Sequence, residues 1–140
     1  MKFTRKAHTN WKGTGMEGKG TVSTESTTLD NAQLSFKTRF ADGVGTNPEE
    51  LIAAAHSGCY TMQLSFLISE KGFTPEDLTT EAQVTFEDGT ITKIHLKLEA
   101  NVPGLSEQDF QELATKAKEI CPVSKLLKAA EITLSATLVG

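Results

Sequence analysis

The segment covering residues 47–71 most limits what this chain can fold into. It opens with Asn47-Pro48-Glu49-Glu50, where an Asn N-cap, a proline at the first helical position and early acidic residues are typical of a helix start. Glu50 also allows a capping box with Asn47. The segment stops before Gly72, a residue favoured just beyond a helix. Residues 51–68 are apolar or small almost all round, which predicts a buried central helix.

A helix that is apolar on nearly every side needs packing partners on every side. One sheet covers only one face of a helix. We therefore expect a homodimer in which two such helices pack together, although a second helix of the same chain could supply part of the cover.

Segments rich in Thr, Val and Phe, or with alternating polarity, predict strands on both sides of this helix: residues 21–26, 33–40, 79–86, 91–100 and 132–138. Asp88-Gly89 predicts a tight hairpin between the third and fourth of these. Ser106 begins a second helix, Cys121-Pro122 interrupts it, and residues 123–129 form a short further helix. This order predicts one α+β domain over residues 1–140, with a largely antiparallel sheet packed on helices.

Charge and hydropathy narrow the possible partners and the compartment. The net charge is −4 and the basic residues form no block, which argues against a nucleic-acid or anionic membrane partner. No secretory signal is visible near the start, and we expect no apolar run as long as the ~20 residues of a membrane span. We therefore expect a cytoplasmic protein. Its two cysteines are too few for an all-cysteine zinc site.

Both cysteines have a plain and a chemical interpretation. Cys59 lies in the central helix among small residues, where a cysteine is usually a packing residue. Cys121 precedes Pro122 and a helix start, where the dipole and free amides lower a thiol pKa, or it is simply buried in a helix break. His56 is a candidate general base, a candidate metal ligand with both cysteines, or a packed histidine bonded to backbone.

Arg39 and Glu49 could act together near a thiol. Arg39 is expected at a strand end, either solvated or placed to stabilise a thiolate. Glu49 either complements the helix dipole or orients Arg39 through a bidentate pair. Ten helical residues span roughly 15 Å, so Glu49 cannot touch Cys59 within one straight helix. Either Arg39 bridges part of that gap or Glu49 comes from a partner subunit.

Two cysteine motifs carry a family resemblance. Residues 45–59, GTNPEELIAAAHSGC, and Cys121-Pro122-Val123-Ser124 resemble the OsmC/Ohr family of organic peroxide reductases. Trp11, Gly18-Lys19-Gly20-Thr21 and Thr38-Arg39-Phe40 resemble its OsmC branch. The resemblance covers essentially the whole chain.

The resemblance implies a fold and a chemistry. It implies an intertwined homodimer with sheets wrapped around two central helices and the site at the dimer interface. Cys59 matches the peroxidatic cysteine, Cys121 the resolving cysteine, Arg39 the activating arginine and Glu49 its acidic partner. The implied enzyme reduces organic hydroperoxides in stress defence through a Cys59 sulfenate and a Cys59–Cys121 disulfide. It needs no metal or cofactor, only an external dithiol, of lipoyl type.

Two other functions stay open from the residues alone. One is a Cys-His hydrolase or acyl transferase that uses Cys59 and His56. The other is a non-enzymatic binding domain whose cysteines only pack.

Overall fold

Ten elements follow one another in the predicted order of strands, long helix, hairpin, helix and strand, except that a short unpredicted helix precedes the long one. The computed structural model describes residues 1–140, which divide into two compact units, Met1–Leu51 and Ile52–Gly140. The elements are β1 (Ala7–Lys12), β2 (Lys19–Thr24), β3 (Ala32–Leu34), α1 (Phe36–Phe40), α2 (Pro48–Glu70), β4 (Asp77–Glu87), β5 (Thr90–Asn101), α3 (Glu107–Ile120), α4 (Pro122–Leu126) and β6 (Glu131–Leu138).

The first unit contains a three-stranded antiparallel sheet in the order β1-β2-β3. Trp11 on β1 lies opposite Gly20 on β2. The indole covers Gly20 and Gly18 so closely that a Cβ at either position would clash with the ring. The Trp11 ring leaves no room for a side chain at Gly20, and at Gly18 the ring and the backbone carbonyls of Thr14 and Lys12 together leave none.

The strand predicted for residues 33–40 is wrong over most of its length. β3 ends at Leu34, and α1 begins after Ser35. Ser35 and Thr38 form a capping box, in which the Thr38 amide donates to Ser35 Oγ at 3.3 Å and the Ser35 amide donates to Thr38 Oγ1 at 2.9 Å. These local bonds outweigh the alternating pattern that predicted a strand. Arg39 therefore lies in a short helix and not at a strand end.

The start and end of α2 confirm the predicted signals. Asn47 Oδ1 accepts the Glu50 amide at 2.8 Å, and Pro48 is the first helical residue. The Glu50 carboxylate does not complete a capping box but accepts from Thr46 Oγ1 at 2.7 Å. Gly72 follows the helix with a φ of 93°, the left-handed conformation that favours glycine.

The second unit contains the sheet β4-β5-β6, which is mixed, although three of the four strand pairings in the protein are antiparallel as expected. The β4–β5 hairpin turns at Asp88 and Gly89, with φ of 46° and 81°, as the Asp-Gly pair predicts. β6 runs parallel to β5. The cause is the connection, because α3 and α4 carry the chain back before β6 begins, as a crossover between parallel strands requires.

One face of α2 packs into the core of the second unit. Tyr60, Leu64 and Ile68 are fully buried there, together with Phe110 and Ala114 of α3. Leu96 and Leu98 of β5 complete this core. The other face of α2 is open, since Met62 is 64% and Phe66 63% exposed. The expected cover on every side is therefore absent within a single chain.

By length and composition alone, α2 could cross a membrane. The expectation that no run is long enough was wrong, because the small residues of this 23-residue helix interrupt its apolar character without adding charge. Core helices of soluble proteins have the same length and composition.

Candidate active site

The two cysteines meet inside the second unit. Cys59 lies in the middle of α2, and Cys121 separates α3 from α4. Their sulfur atoms are 3.0 Å apart, with the Cys121 thiol donating to Cys59 Sγ, and both cysteines are free thiols. Cys121 is fully buried and Cys59 is partly exposed. A reagent can therefore reach the pair only from the side of Cys59.

Local backbone chemistry holds Cys121 at this position. Its amide donates to the Ala117 carbonyl at 3.0 Å, which ends α3, and its carbonyl accepts the Lys125 amide at 3.0 Å, which starts α4. Pro122 has no amide to donate and fits the first helical position. Cys121 is the N-cap residue of α4, in keeping with its expected place just before Pro122 and a helix start, although its side chain makes no capping bond.

The surroundings of Cys59 oppose ionisation. Burial raises the pKa of the Cys59 thiol, and its hydrogen bond with Cys121 acts in the same direction. A bond from the Val123 amide, in the first turn of α4, lowers the pKa but does not cancel the effect of burial. An apolar site around a thiol has this consequence, so ionisation near neutral pH needs a further positive group.

His56 forms a second buried pair one helical turn before Cys59. Its Nε2 and Ser124 Oγ are 2.7 Å apart, and both residues are buried. Its Nδ1 is buried without a hydrogen-bond partner. Burial lowers the pKa of His56, which favours the neutral ring. The expectation of a packed histidine bonded to backbone was wrong about the partner, which is a side chain.

Arg39 and Glu49 form an ion pair in the first unit. Arg39 Nε donates to Glu49 Oε1 at 3.0 Å, with the arginine side chain 41% and the glutamate side chain 13% exposed. Glu49 Oε2 is buried and has no hydrogen-bond partner, so the expected bidentate pairing is not present. The structure pairs Arg39 with Glu49 in the first unit and Cys59 with Cys121 in the second unit.

Sequence reasoning missed Ser124 and the Val123 amide as members of the site. A signal was available, because Ser124 follows Cys121 by three residues, the same spacing that separates His56 from Cys59. Residues three apart on a helix lie on one side of it. No group of three or more His, Cys, Asp or Glu side chains is arranged to hold a metal ion.

Comparisons with known proteins agree in one family. A family model for OsmC-like protein matches residues 41–136. The chain is 48% identical over 138 residues to Peroxiredoxin OsmC of Escherichia coli (strain K12), covering 96% of each chain. The solved structure of the organic hydroperoxide resistance protein OhrB of Bacillus subtilis superposes with a TM-score of 0.69 at 27% identity over 98% of each chain.

A second solved structure shares the fold. The OsmC-like protein from Mycoplasma pneumoniae has a TM-score of 0.79 over 100% of both chains, at 15% identity. The predicted α+β fold of the OsmC and Ohr proteins is confirmed by these two likenesses. The chain belongs to the OsmC family.

Proposed function

We propose that this chain is a thiol-dependent peroxidase that reduces organic hydroperoxides to alcohols. The single observation that carries the proposal is the 3.0 Å separation of the Cys59 and Cys121 sulfur atoms. A disulfide has an S–S length of about 2.05 Å, so the sulfurs need to approach by only about 1 Å to bond. The names of its relatives, a peroxiredoxin and a hydroperoxide resistance protein, support the same function.

The reaction begins at Cys59, the more accessible thiol. Its thiolate attacks the distal oxygen of the hydroperoxide and the O–O bond breaks. The alkoxide leaves as the alcohol after taking a proton, and Cys59 becomes a sulfenic acid. The Cys121 thiol then attacks the Cys59 sulfur, a disulfide forms and water leaves. An external dithiol restores both thiols by exchange, and we propose one of lipoyl type.

Ionisation of Cys59 is the step for which the proposal needs a positive charge. Burial raises the pKa of the thiol, and the Val123 amide only partly offsets this. We assign the activating role to Arg39 and the role of orienting it to Glu49, on the family resemblance. Their ion pair, with Arg39 Nε 3.0 Å from Glu49 Oε1, supports the second assignment.

The assembly and the compartment belong to the same proposal. We propose a cytoplasmic homodimer whose α2 helices pack together. The open apolar face of α2, with Met62 and Phe66 more than half exposed, supports this assembly. An apolar surface of this kind also favours organic hydroperoxides over hydrogen peroxide.

The hydrogen bonds give no support to a Cys-His hydrolase. His56 Nε2 is engaged with Ser124 Oγ at 2.7 Å, and Nδ1 has no hydrogen-bond partner. A Cys-His pair requires the imidazole to bond the thiol it activates.

Thiol titration with mass measurement tests the peroxidase proposal. One equivalent of cumene hydroperoxide should remove both thiols and lower the monomer mass by two hydrogens. Cys59→Ser should leave Cys121 unreacted, whereas Cys121→Ser should stop at a sulfenic acid that dimedone traps. Steady-state turnover with dihydrolipoamide should be lost in both variants. In the wild type, turnover should be slower with a monothiol reductant than with dihydrolipoamide. Unchanged thiols in the wild type would reject the proposal.

A further inference from the structure

One turn of α2 lies against the start of α4 through two side-chain pairs. His56 pairs with Ser124 at 2.7 Å, and Cys59 pairs with Cys121 at 3.0 Å. In both segments the two members are three residues apart, and the order is reversed between them. The hydrogen bond and the sulfur pair are therefore neighbouring contacts of one interface between α2 and α4.

The position of α4 depends on such contacts. It has five residues, far fewer than an isolated helix needs to be stable in water. Cys121 has no side-chain hydrogen bond to its own helix. The bonds to Ala117 and Lys125 fix the backbone of Cys121 between α3 and α4. The distance of its sulfur from Cys59 also depends on how closely the first turn of α4 is held against α2.

The His56–Ser124 bond is well suited to this fastening. His56 is fully buried and Ser124 is 4% exposed, so water does not compete for either group. A buried hydroxyl or imidazole that loses its partner keeps the full cost of its desolvation. Burial lowers the pKa of His56, so the ring stays neutral and the bond persists at neutral pH.

We propose that His56 and Ser124 are positioning residues for the resolving step, holding Cys121 within reach of the oxidised Cys59. The inference rests on the proposed peroxidase function. The step it serves is the attack of the Cys121 thiol on the Cys59 sulfenic acid. The S–O bond breaks, the S–S bond forms, and the thiol proton leaves with the hydroxyl as water. Oxidation of Cys59 itself takes place on α2, and α4 assists it through the backbone amide of Val123, which lowers the pKa of the thiol. Neither His56 nor Ser124 supplies that amide.

Single-turnover kinetics separate the two steps. Reduced protein is mixed with one equivalent of cumene hydroperoxide, and samples are quenched at a series of times. Dimedone labels the sulfenic acid in each sample, and mass spectrometry measures how much disulfide has formed. Ser124→Ala and His56→Leu should slow disulfide formation about tenfold or more, as expected for loss of a buried hydrogen bond. The rate at which Cys59 is oxidised should fall by much less than the rate of disulfide formation, because the Val123 amide that lowers the pKa of Cys59 is a backbone group that neither substitution removes. His56→Gln, whose amide can reach Ser124, should recover most of the resolving rate.

Three outcomes would overturn the inference. Disulfide formation at the wild-type rate in Ser124→Ala would show that the bond positions nothing. Equal slowing of both steps, or no recovery in His56→Gln, would show a general packing role. If His56→Leu does not fold, Ser124→Ala and His56→Gln decide the question alone.

A second oxidant keeps this inference separate from the peroxidase proposal. Diamide accepts two electrons from a pair of thiols and forms the disulfide without peroxide. If Cys59 of the wild type does not react with the hydroperoxide, the proposed peroxidase function fails. The rates at which diamide forms the disulfide in the same variants still test whether His56 and Ser124 position Cys121. Equal rates of diamide-driven closure in wild type and Ser124→Ala would then overturn it.

Discussion

At the scale of single residues, the candidate site consists of pairs of side chains in which each member fixes the orientation of the other. Glu49 has one carboxylate oxygen bonded to Arg39 Nε at 3.0 Å and another buried without a hydrogen-bond partner. Its charge is therefore tied to the orientation of the guanidinium. Neighbouring Glu50 instead accepts from Thr46 at the helix start.

Glu49→Gln should slow oxidation of Cys59 by about 10- to 100-fold, because a charge-assisted hydrogen bond contributes roughly 1.5–3 kcal/mol. Glu50→Gln is the matched control and should change this rate by less than about threefold, since an amide oxygen can still accept from Thr46. Rates of thiol loss under excess hydroperoxide measure both. Equal rates in wild type and Glu49→Gln would remove the assigned role of Glu49.

His56 should make stability depend on pH. Its pKa is lowered from 6.5 by burial, so the unfolded chain binds a proton more readily than the folded one. The free energy of unfolding should therefore fall as pH drops through 6.5 towards the folded pKa, by at most ~1.4 kcal/mol per pH unit from this group. Above pH 6.5 the contribution of the neutral ring is constant.

Urea unfolding of wild type and His56→Gln between pH 8 and pH 5, at one protein concentration, isolates this effect. The stability of wild type relative to the variant should decrease as the pH falls below about 6.5. A constant difference over the range would mean that His56 is not buried as a neutral ring.

At the scale of elements, the β4–β5 hairpin shows most clearly how two residues determine a turn. Gly89 has a φ of 81°, and a Cβ added there would meet nothing within 4 Å. Gly89→Ala should thus lower the free energy of unfolding by about 1 kcal/mol through backbone strain alone. Asp88→Asn is the control, since asparagine tolerates the φ of 46° at that position. Thermal unfolding compares them, and an unchanged midpoint in Gly89→Ala would contradict the turn geometry.

α1 is the element that sequence patterns misjudged. Apolar Leu34 and Phe36 alternate with polar neighbours, which favours a strand. Ser35 and Thr38 can satisfy each other's backbone amides only in a helical turn, and this local pairing prevails. A Ser followed three residues later by Thr is a weaker capping signal than one followed by Glu or Gln, so the alternating pattern dominates the sequence-based prediction.

At the scale of the whole molecule, the open face of α2 makes a prediction about assembly. Phe66 is 63% exposed on a helix that is apolar along most of its length. Phe66→Lys should convert a dimer into a monomer, because a charge would have to be buried without a partner. Val139→Lys, an exposed apolar residue near the end of the chain, is the control and should leave the mass unchanged. Light scattering after gel filtration gives both masses, and a monomeric wild type would contradict the proposed dimer.

Sequence alone determined the elements whose causes are local. The Asn47-Pro48 start of α2, Gly72 after its end and the Asp88-Gly89 turn each act within a few residues. Their hydrogen bonds and φ values are dictated by the residues that carry them. The break between α3 and α4 at Cys121-Pro122 has the same local origin.

Tertiary structure decided the contacts between distant segments. The parallel pairing of β6 with β5, the 3.0 Å between Cys59 and Cys121, and the bond from His56 to Ser124 all join segments at least 38 positions apart. The hydrophobic periodicity of the sequence does not predict such contacts. Their energy comes from burial and from hydrogen bonds that exist only once the elements have packed. The sequence motifs identified the two cysteines as candidates. The packing of α4 on α2 brought their sulfur atoms together.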